Sequence, residues 1–599
     1  MKFWAAYGVV CTVLLAAYLS VPFFYDRSGP PAAGSVRRAA LASKIRGLDP
    51  QDIGDTTSAA VAGQIFETLY TYSYLERPYR LIPLLAADLP EVSPDGLALT
   101  LTIRPGIFFC DDPAFPGGQG RELTATDFIY AWMRMADLNN RSTNYAGIFQ
   151  GYVKGLDEFR AASAAGPADY DGEIEGLEVL GRYTMRIKLN KPYPFLVYWL
   201  AHLPTAPVAR EAVEFYGPEL VNHPVGTGPY RLAGDFRSNR FSLERNKNYR
   251  LETYPARGED GDARAGLLAD AGRRIPFIDR IEWSVIEEPQ PRWLAFLDGQ
   301  LDASGIPRDN FSEAITPGRE LAGELRERDI RLLKFDDPSV FYYGFNMNDP
   351  VVGSNLPLRR AMSLAFDRET YIERFLNGRG RIPVGPIPPS FPSFRPEKEN
   401  PWVRYDPEEA RRLLAQAEEE CGGPLPLLRV AVPGTDTTTR QGGEFFRVQM
   451  ERIGLSVEMD YMTWPRFQDA NRTGSHQIFA LGWQADYPDA ENFLFLFYGP
   501  NRSPGPNACN FSDPEFDRLY EQAVVLPLLE DRLPSYHRME DIVIEQCPWL
   551  LLTYRVNYVL IHPWLENYKP NNFAEGTIKY QAVNDERRRA FYAEKEEGS

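Results

Sequence analysis

The chain has 599 residues, of which 44% are hydrophobic and 13% aromatic, so it is long enough for two or three domains and can fill their cores. Its 65 Lys and Arg against 82 Asp and Glu give a net charge of −17, which argues against nucleic acid or an anionic lipid surface as a partner. The five cysteines include no C-x-x-C pair, so no metal site and no cofactor is predicted. Cys11 lies in an apolar leader, and the other four are either buried free thiols or up to two disulfides.

The N-terminus begins with an apolar stretch, Phe3 to Tyr25, that carries no charge. As a helix it would span about 34 Å at ~1.5 Å per residue, enough to cross a bilayer. Only Ala32-Ala33-Gly34, well past this stretch, resembles a cleavage site, and the residues before Cys11 do not match a lipoprotein signal. We therefore predict that residues 1–25 are an uncleaved signal anchor, with a cleaved signal peptide as the alternative. Either form exports the body of the protein.

A linker is predicted over residues 26–44, because Gly, Pro and Ala dominate its first part and Arg37 and Arg38 follow in a polar stretch. The globular region is expected to begin near Ile45. Residues 254–274, rich in Gly, Asp, Ala and Arg, show no periodicity and indicate an insertion or a mobile loop.

Strands and helices alternate along the remaining chain. Alternating apolar and polar residues, or apolar runs bounded by turns, predict strands at 97–103, 183–189, 427–432, 457–461 and 549–561. Helical spacing and N-cap residues predict helices at 64–70, after Thr124, from Pro357, after Asp406 and at 444–452. This order indicates a mixed α/β protein.

The segment from Ile478 to Pro488 has the features of a binding site. An apolar run leads into Gly482, Trp483 and Asp486, and Pro488 then ends any regular element. The glycine lets a ligand approach the backbone, the indole offers an apolar wall, and the carboxylate can hold an ammonium group.

This segment resembles the Gly-Trp-x-x-Asp-Tyr element of family 5 extracellular solute-binding proteins, the peptide-binding subunits of ABC importers. Val225-Gly-Thr-Gly-Pro-Tyr230 and the Asp406-Pro407 helix start also resemble motifs of that family, and the resemblance covers about residues 45–575. It implies an α/β, two-lobed, periplasmic-binding-protein-like fold (type II, cluster C) with an extra subdomain in the first lobe, preceded here by the N-terminal hydrophobic segment. The implied boundaries are 45–66, 205–338 and 557–599 for the first lobe, 67–204 for its extra subdomain, and 339–556 for the second lobe.

The resemblance also implies where a ligand binds. In the family the strand before the motif pairs with a peptide backbone, and the aspartate takes the α-amino group. The implied ligand-binding residues of this chain are Gly54, Thr56, Gly482, Trp483, Gln484, Asp486, Tyr554 and Arg555. Some relatives carry an Arg shortly before Gly-Trp that reaches a ligand carboxylate; Phe479-Ala480-Leu481 stand there instead, and Arg555 is the candidate replacement.

The expected function is that of the substrate-binding component of an ABC transporter, which captures peptides, mainly oligopeptides, in the periplasm or at the outer face of the inner membrane. It would act as a monomer with the permease subunits, tethered by the N-terminal segment. No catalytic motif is present, and Asp486 with Asp489, a possible glycosidase pair, is expected to be a solvated turn. The alternative is a membrane-tethered binding or sensor module of the same fold with a non-peptide ligand.

Overall fold

The computed structural model describes residues 35–597, and within that range no helix is both long and apolar enough to span a membrane. The predicted signal anchor or signal peptide at 1–25 lies outside the described residues. The described chain alternates helices and strands, as the sequence predicts.

The strands are β1 (Val36–Leu41), β2 (Tyr70–Tyr72), β3 (Leu81–Pro83), β4 (Glu91–Val92), β5 (Ala98–Thr102), β6 (Leu177–Gly181), β7 (Thr184–Lys188), β8 (Tyr230–Ala233), β9 (Arg240–Arg245), β10 (Glu252–Thr253), β11 (Arg274–Ile275), β12 (Arg280–Val285), β13 (Ala303–Gly305), β14 (Arg331–Asp336), β15 (Ser339–Phe345), β16 (Gly380–Arg381), β17 (Leu428–Pro433), β18 (Val457–Met462), β19 (Ile478–Gln484), β20 (Trp549–Ile561), β21 (Leu565–Glu566) and β22 (Ala582–Val583).

The α-helices are α1 (Thr56–Ala62), α2 (Ala125–Ala136), α3 (Tyr145–Ile148), α4 (Leu156–Ser163), α5 (Leu196–Trp199), α6 (Arg210–Tyr216), α7 (Pro289–Leu297), α8 (Phe311–Ala314), α9 (Gly323–Glu327), α10 (Leu356–Ala365), α11 (Arg368–Leu376), α12 (Pro407–Glu420), α13 (Thr437–Glu451), α14 (Trp464–Thr473), α15 (Glu491–Leu494), α16 (Pro514–Ala523), α17 (Leu529–Gln546) and α18 (Asp585–Glu597). Short 3-10 helices include Leu203–Thr205 and Thr577–Tyr580.

The first lobe is built on a four-stranded sheet in the order β1-β12-β9-β8, with β1 parallel to β12. The predicted linker at 26–44 is therefore wrong over 36–41, and the folded region begins before Ile45. This strand was missed because its arginines are typical of an exposed linker, whereas Arg37 is buried and forms an ion pair with Asp302. Such partners lie too far away in sequence to be inferred locally.

An extra subdomain with its own core extends from this lobe. Its antiparallel sheet has the order β4-β5-β7-β6, and α2 packs in the core beside it. Thr124 and Asp127 form the predicted capping box at the start of α2. The predicted helix at 64–70 is wrong, however. The chain leaves α1 at Gly63, and the carbonyls of Gln64 and Ile65 accept hydrogen bonds from the 228–230 turn rather than continuing a helix.

The second lobe contains the central strands β15, β19, β17 and β18, with two cores on its faces. β20 connects the lobes: its first half pairs with β15 and its second half with β14 and β13. The predicted boundary at 556/557 falls within this strand. The predicted strand-helix-strand unit appears as β17, α13 and β18, with a helix longer than predicted.

Candidate functional site

The motif strand β19 has one fully paired edge and one partly open edge. It is antiparallel to β15 along its whole length, from Ile478 opposite Phe345 to Gln484 opposite Ser339. Parallel β17 pairs with it only at Ile478 and Phe479. On that side no described strand pairs with residues 480–484, so this edge can accept an added extended chain.

Gly482 has to be a glycine because an aromatic ring lies across it. A Cβ at this position would come within 2.5 Å of the Phe341 ring. The same ring carries the Arg555 guanidinium, 3.7 Å from its centroid. Within residues 35–597 that guanidinium forms no hydrogen bond or ion pair, and the side chain is exposed, so its donors are available.

Asn492 fixes the geometry of the motif. Its side-chain oxygen accepts from the Asp486 backbone N–H at 2.9 Å and from the Trp483 indole N–H at 3.2 Å, and its amide nitrogen donates to Asp486 Oδ2 at 3.3 Å. Asn492 is buried at the start of α15. The indole N–H is therefore already bonded, and Trp483 offers a ligand only its apolar surface.

Asp486 and His202 face each other across the two lobes. Burial raises the pKa of the Asp486 carboxyl, while the His202 charge and the Asn492 hydrogen bond oppose the rise. Burial lowers the pKa of His202, opposed by the Asp486 charge and backbone. Both side chains remain half-buried rather than enclosed, so a ligand can reach this carboxylate.

Asp489 is not the solvated turn residue that the sequence suggested. It is buried, and its carboxylate accepts from Arg532 at 2.7 Å, from the Tyr536 hydroxyl at 2.8 Å and from the Glu491 backbone at 3.0 Å. This carboxylate is fully occupied by structural partners. It cannot act with Asp486 as a pair of catalytic acids.

Tyr487 connects the motif to the first lobe through aromatic contacts. Its ring stacks on Tyr198 at 5.4 Å and Phe195 at 6.0 Å, and meets the edge of Trp199 at 5.4 Å. These three rings lie on and just before α5 of the extra subdomain. The Tyr487 hydroxyl donates to Glu491, which the Tyr520 hydroxyl also contacts. An aromatic contact thus joins the lobes beside Asp486.

The remaining predicted residues differ in accessibility. Gly54 and Thr56 are exposed at the start of α1, and no hydrogen bond or ion pair among residues 35–597 links them to the motif. Gln484 is exposed at the end of β19. Tyr554 is wrong as a ligand contact: it is 1% exposed, and its hydroxyl donates to the Gly385 carbonyl at 2.6 Å and accepts from the Gly385 N–H at 3.1 Å.

Sequence reasoning missed His202, Asn492 and Arg532. Asn492 lies four residues beyond the segment from Ile478 to Pro488, and its spacing of six residues from Asp486 in a turn-to-helix segment was a usable signal. His202 and Arg532 carry no local signal, because only the tertiary fold brings them to the motif. Cys110, Cys509 and Cys547 are buried free thiols and Cys421 is an exposed one, so none of these four forms a disulfide.

Comparisons with known proteins agree with this architecture. The model of the family "Bacterial extracellular solute-binding proteins, family 5 Middle" matches residues 80–505. Oligopeptide-binding protein OppA of Bacillus subtilis is 24% identical over 508 residues, covering 84% of each chain. Periplasmic murein peptide-binding protein MppA of Escherichia coli is 24% identical over 582 residues, covering 94% of this chain and 96% of its own.

Among solved structures, the periplasmic binding protein DppA of Helicobacter pylori in complex with the peptide STSA superposes with a TM-score of 0.68 at 21% identity, covering 92% of this chain and 98% of its own. The likeness establishes a shared two-lobed fold. Since the family match covers more than half of the sequence, the chain belongs to the bacterial extracellular solute-binding proteins of family 5.

Proposed function

We propose that this protein captures extracytoplasmic peptides, mainly oligopeptides, between its lobes and delivers them to the transmembrane subunits of an ABC importer. One observation carries the proposal: the open edge of β19 leads directly to the accessible Asp486 carboxylate. An extended peptide can pair its backbone with residues 480–484 and place its α-ammonium at Asp486. The names of the OppA and MppA relatives support a peptide ligand.

Arg555 is the candidate contact for a ligand carboxylate. Its planar guanidinium is held on Phe341 beside Gly482, so it presents a prearranged fork of donors. Gly54, Thr56 and Gln484 are proposed to supply further backbone or polar contacts, since all three are exposed. The surface of Trp483 and the rings around Tyr487 provide an apolar wall.

Relative motion of the lobes would couple capture to delivery, because a ligand that contacts both lobes biases the protein toward the arrangement in which both contacts are made. The protein acts as a monomer at the outer face of the inner membrane, held there by its N-terminal segment. The intact mass of the purified protein tests this tether: a chain that begins after residue 25 would show that the segment is removed.

The decisive test combines a protein change with a ligand change. We expect tetra-alanine to bind the full chain, and either Asp486→Asn or N-acetylation of the peptide to weaken binding about ten- to hundredfold, since a charge-assisted hydrogen bond contributes about 1.5–3 kcal/mol. The two changes together should weaken binding little more than either change alone, because each removes the same interaction. Asp469→Asn, at an acid 65% exposed on α14, is the matched control and should leave affinity unchanged.

Calorimetry separates the outcomes. Additive losses would mean that Asp486 does not contact the α-ammonium. Failure of free peptides of any length to bind would refute the peptide proposal and favour a sensor module with another ligand.

A further inference from the structure

Glu575 lies on the first lobe, just before the 3-10 helix Thr577–Tyr580. It lines a cavity of about 20 Å³ together with Gly63, Phe66, Glu67, Thr68, Thr71, Leu84, Ala201, Leu203, Pro229, Gly576 and Lys579. The chain passes close to the end of α1 here: a Cβ at Gly576 would come within 2.5 Å of the Gly63 carbonyl oxygen, and one at Gly63 would lie 3.0 Å from Glu575 Oε2. The Glu575 carboxylate therefore lies against Gly63 in this wall.

The other two charged residues that line the cavity, Glu67 and Lys579, are each paired with a neighbour of opposite charge. Glu67 accepts two hydrogen bonds from Arg250, at 2.6 and 2.9 Å, and Lys579 forms an ion pair with Glu252 at 2.9 Å. Glu575 has no such partner: no hydrogen bond or ion pair within residues 35–597 reaches its carboxylate. When it is ionised, the Glu575 carboxylate therefore has no counter-charge among residues 35–597.

Glu575 is deep in the molecule and still accessible. Burial raises its pKa to about 7, although its side chain is exposed. A carboxylate that is surrounded by protein and yet keeps accessible surface faces a recess rather than the outer surface. The cavity beside it is large enough for a water molecule and too small for a side chain, so a ligand group would approach from the recess.

The segments around Glu575 reach toward the second lobe, which places this recess at the cleft. Phe573 packs against Tyr79 of the first lobe at 4.8 Å and meets Phe391 of the second lobe at 6.2 Å. His202, between the cavity-lining residues Ala201 and Leu203, faces Asp486. Glu575 and Asp486 therefore border the cleft from opposite lobes, near the same 201–203 segment.

We propose that Glu575 is a second cation site of the cleft, which takes the ammonium or guanidinium group of a basic side chain in the bound peptide. This inference rests on the proposed peptide-binding function and names a ligand class within it. An unpaired deep carboxylate costs free energy in the empty protein, and a ligand cation offsets that cost. Peptides with a suitably placed lysine or arginine are thereby selected over neutral ones.

The test compares lysine with norleucine, which has the same straight chain without the ammonium group. Each replaces one residue of tetra-alanine in turn, and binding to the full chain is measured by calorimetry. At one position we expect the peptide with lysine to bind at least about tenfold more tightly than the peptide with norleucine. Glu575→Gln should abolish this preference. Glu91→Gln, at an exposed acid on β4 remote from the cavity, is the matched control.

Tetra-alanine itself keeps the outcomes distinct. Unchanged binding of tetra-alanine to Glu575→Gln shows that the variant is folded and that the loss is specific to the cation. Equal affinities of lysine and norleucine at every position, with tetra-alanine still bound, would overturn the second cation site and leave the peptide function standing. No binding of any of these peptides would overturn the second cation site, and failure of free peptides of every other length as well would overturn the peptide function.

Discussion

Replacing Arg532 by methionine tests whether the buried ion pair beneath the motif holds the second lobe together. Arg532 lies on α17 and donates to Asp489 at 2.7 Å, with the two side chains 2% and 1% exposed, and to the Leu526 carbonyl at 3.0 Å. Arg532→Met keeps an unbranched apolar stem, although a shorter one, and removes the charge. Asp489 would then be a buried carboxylate next to Glu491 without its counter-charge.

The expected loss follows from this burial. Removing one partner of a buried pair costs about 3–5 kcal/mol, because the remaining charge stays desolvated. Arg538 on the same helix provides the control: its 2.9 Å ion pair with Glu515 has side chains 41% and 46% exposed, and such a pair contributes less than about 1 kcal/mol. Arg532→Met should therefore destabilise the protein by at least about 2 kcal/mol more than Arg538→Met.

Urea unfolding measures this difference, with midpoints compared at equal slopes because a two-lobed protein need not unfold in one step. The double variant Asp489→Asn with Arg532→Met removes both charges and should be less destabilised than the sum of the single variants. Equal midpoints for Arg532→Met and Arg538→Met would refute the assignment of the buried pair as a structural anchor.

Two further predictions concern neighbours of this pair. Asn492→Ala removes the three hydrogen bonds that align Trp483 and Asp486. Calorimetry should therefore show tetra-alanine binding weakened about tenfold, with the circular dichroism spectrum unchanged. Undiminished affinity would contradict the role of Asn492 in positioning these two residues. Burial raises the pKa of the Glu491 carboxyl from 4.5 to about 7. Between these two pH values the folded protein therefore holds one proton more than the unfolded protein. The contribution of Glu491 to stability consequently falls as the pH rises through this range. Glu491→Gln should gain stability relative to the wild type between about pH 5 and about pH 8 in urea unfolding, and a constant difference would contradict this.

The strands that a local pattern of side chains specifies were predicted correctly from the sequence. The apolar run before Gly482 located β19, the alternation at 97–103 located β5, and the run at 549–561 matches β20. In each case the signal is the sequence of side chains along one strand. The same reasoning placed Asp486 at an accessible strand end.

Errors arose where distant partners decide the outcome. Asp489 reads as a solvated turn acid because Arg532 is 43 residues away. The family resemblance implied Tyr554 as a ligand contact, and no local pattern indicates that its hydroxyl bonds Gly385, 169 residues earlier. No local sequence pattern marks Glu575 or His202, because only the packing of the lobes places these side chains beside the proposed binding cleft. A single sequence does not encode these neighbours in any short spacing.

Strand β1 has a consequence for how the chain folds. Arg37 donates to Gln581, 544 residues later, and Asp302 accepts from Arg588 on α18. The first lobe cannot complete its core until almost the whole chain has been synthesised, and contacts between such distant residues form slowly. The first lobe of a nascent chain therefore stays incompletely folded during synthesis, and a segment in that state can be threaded through a secretion channel.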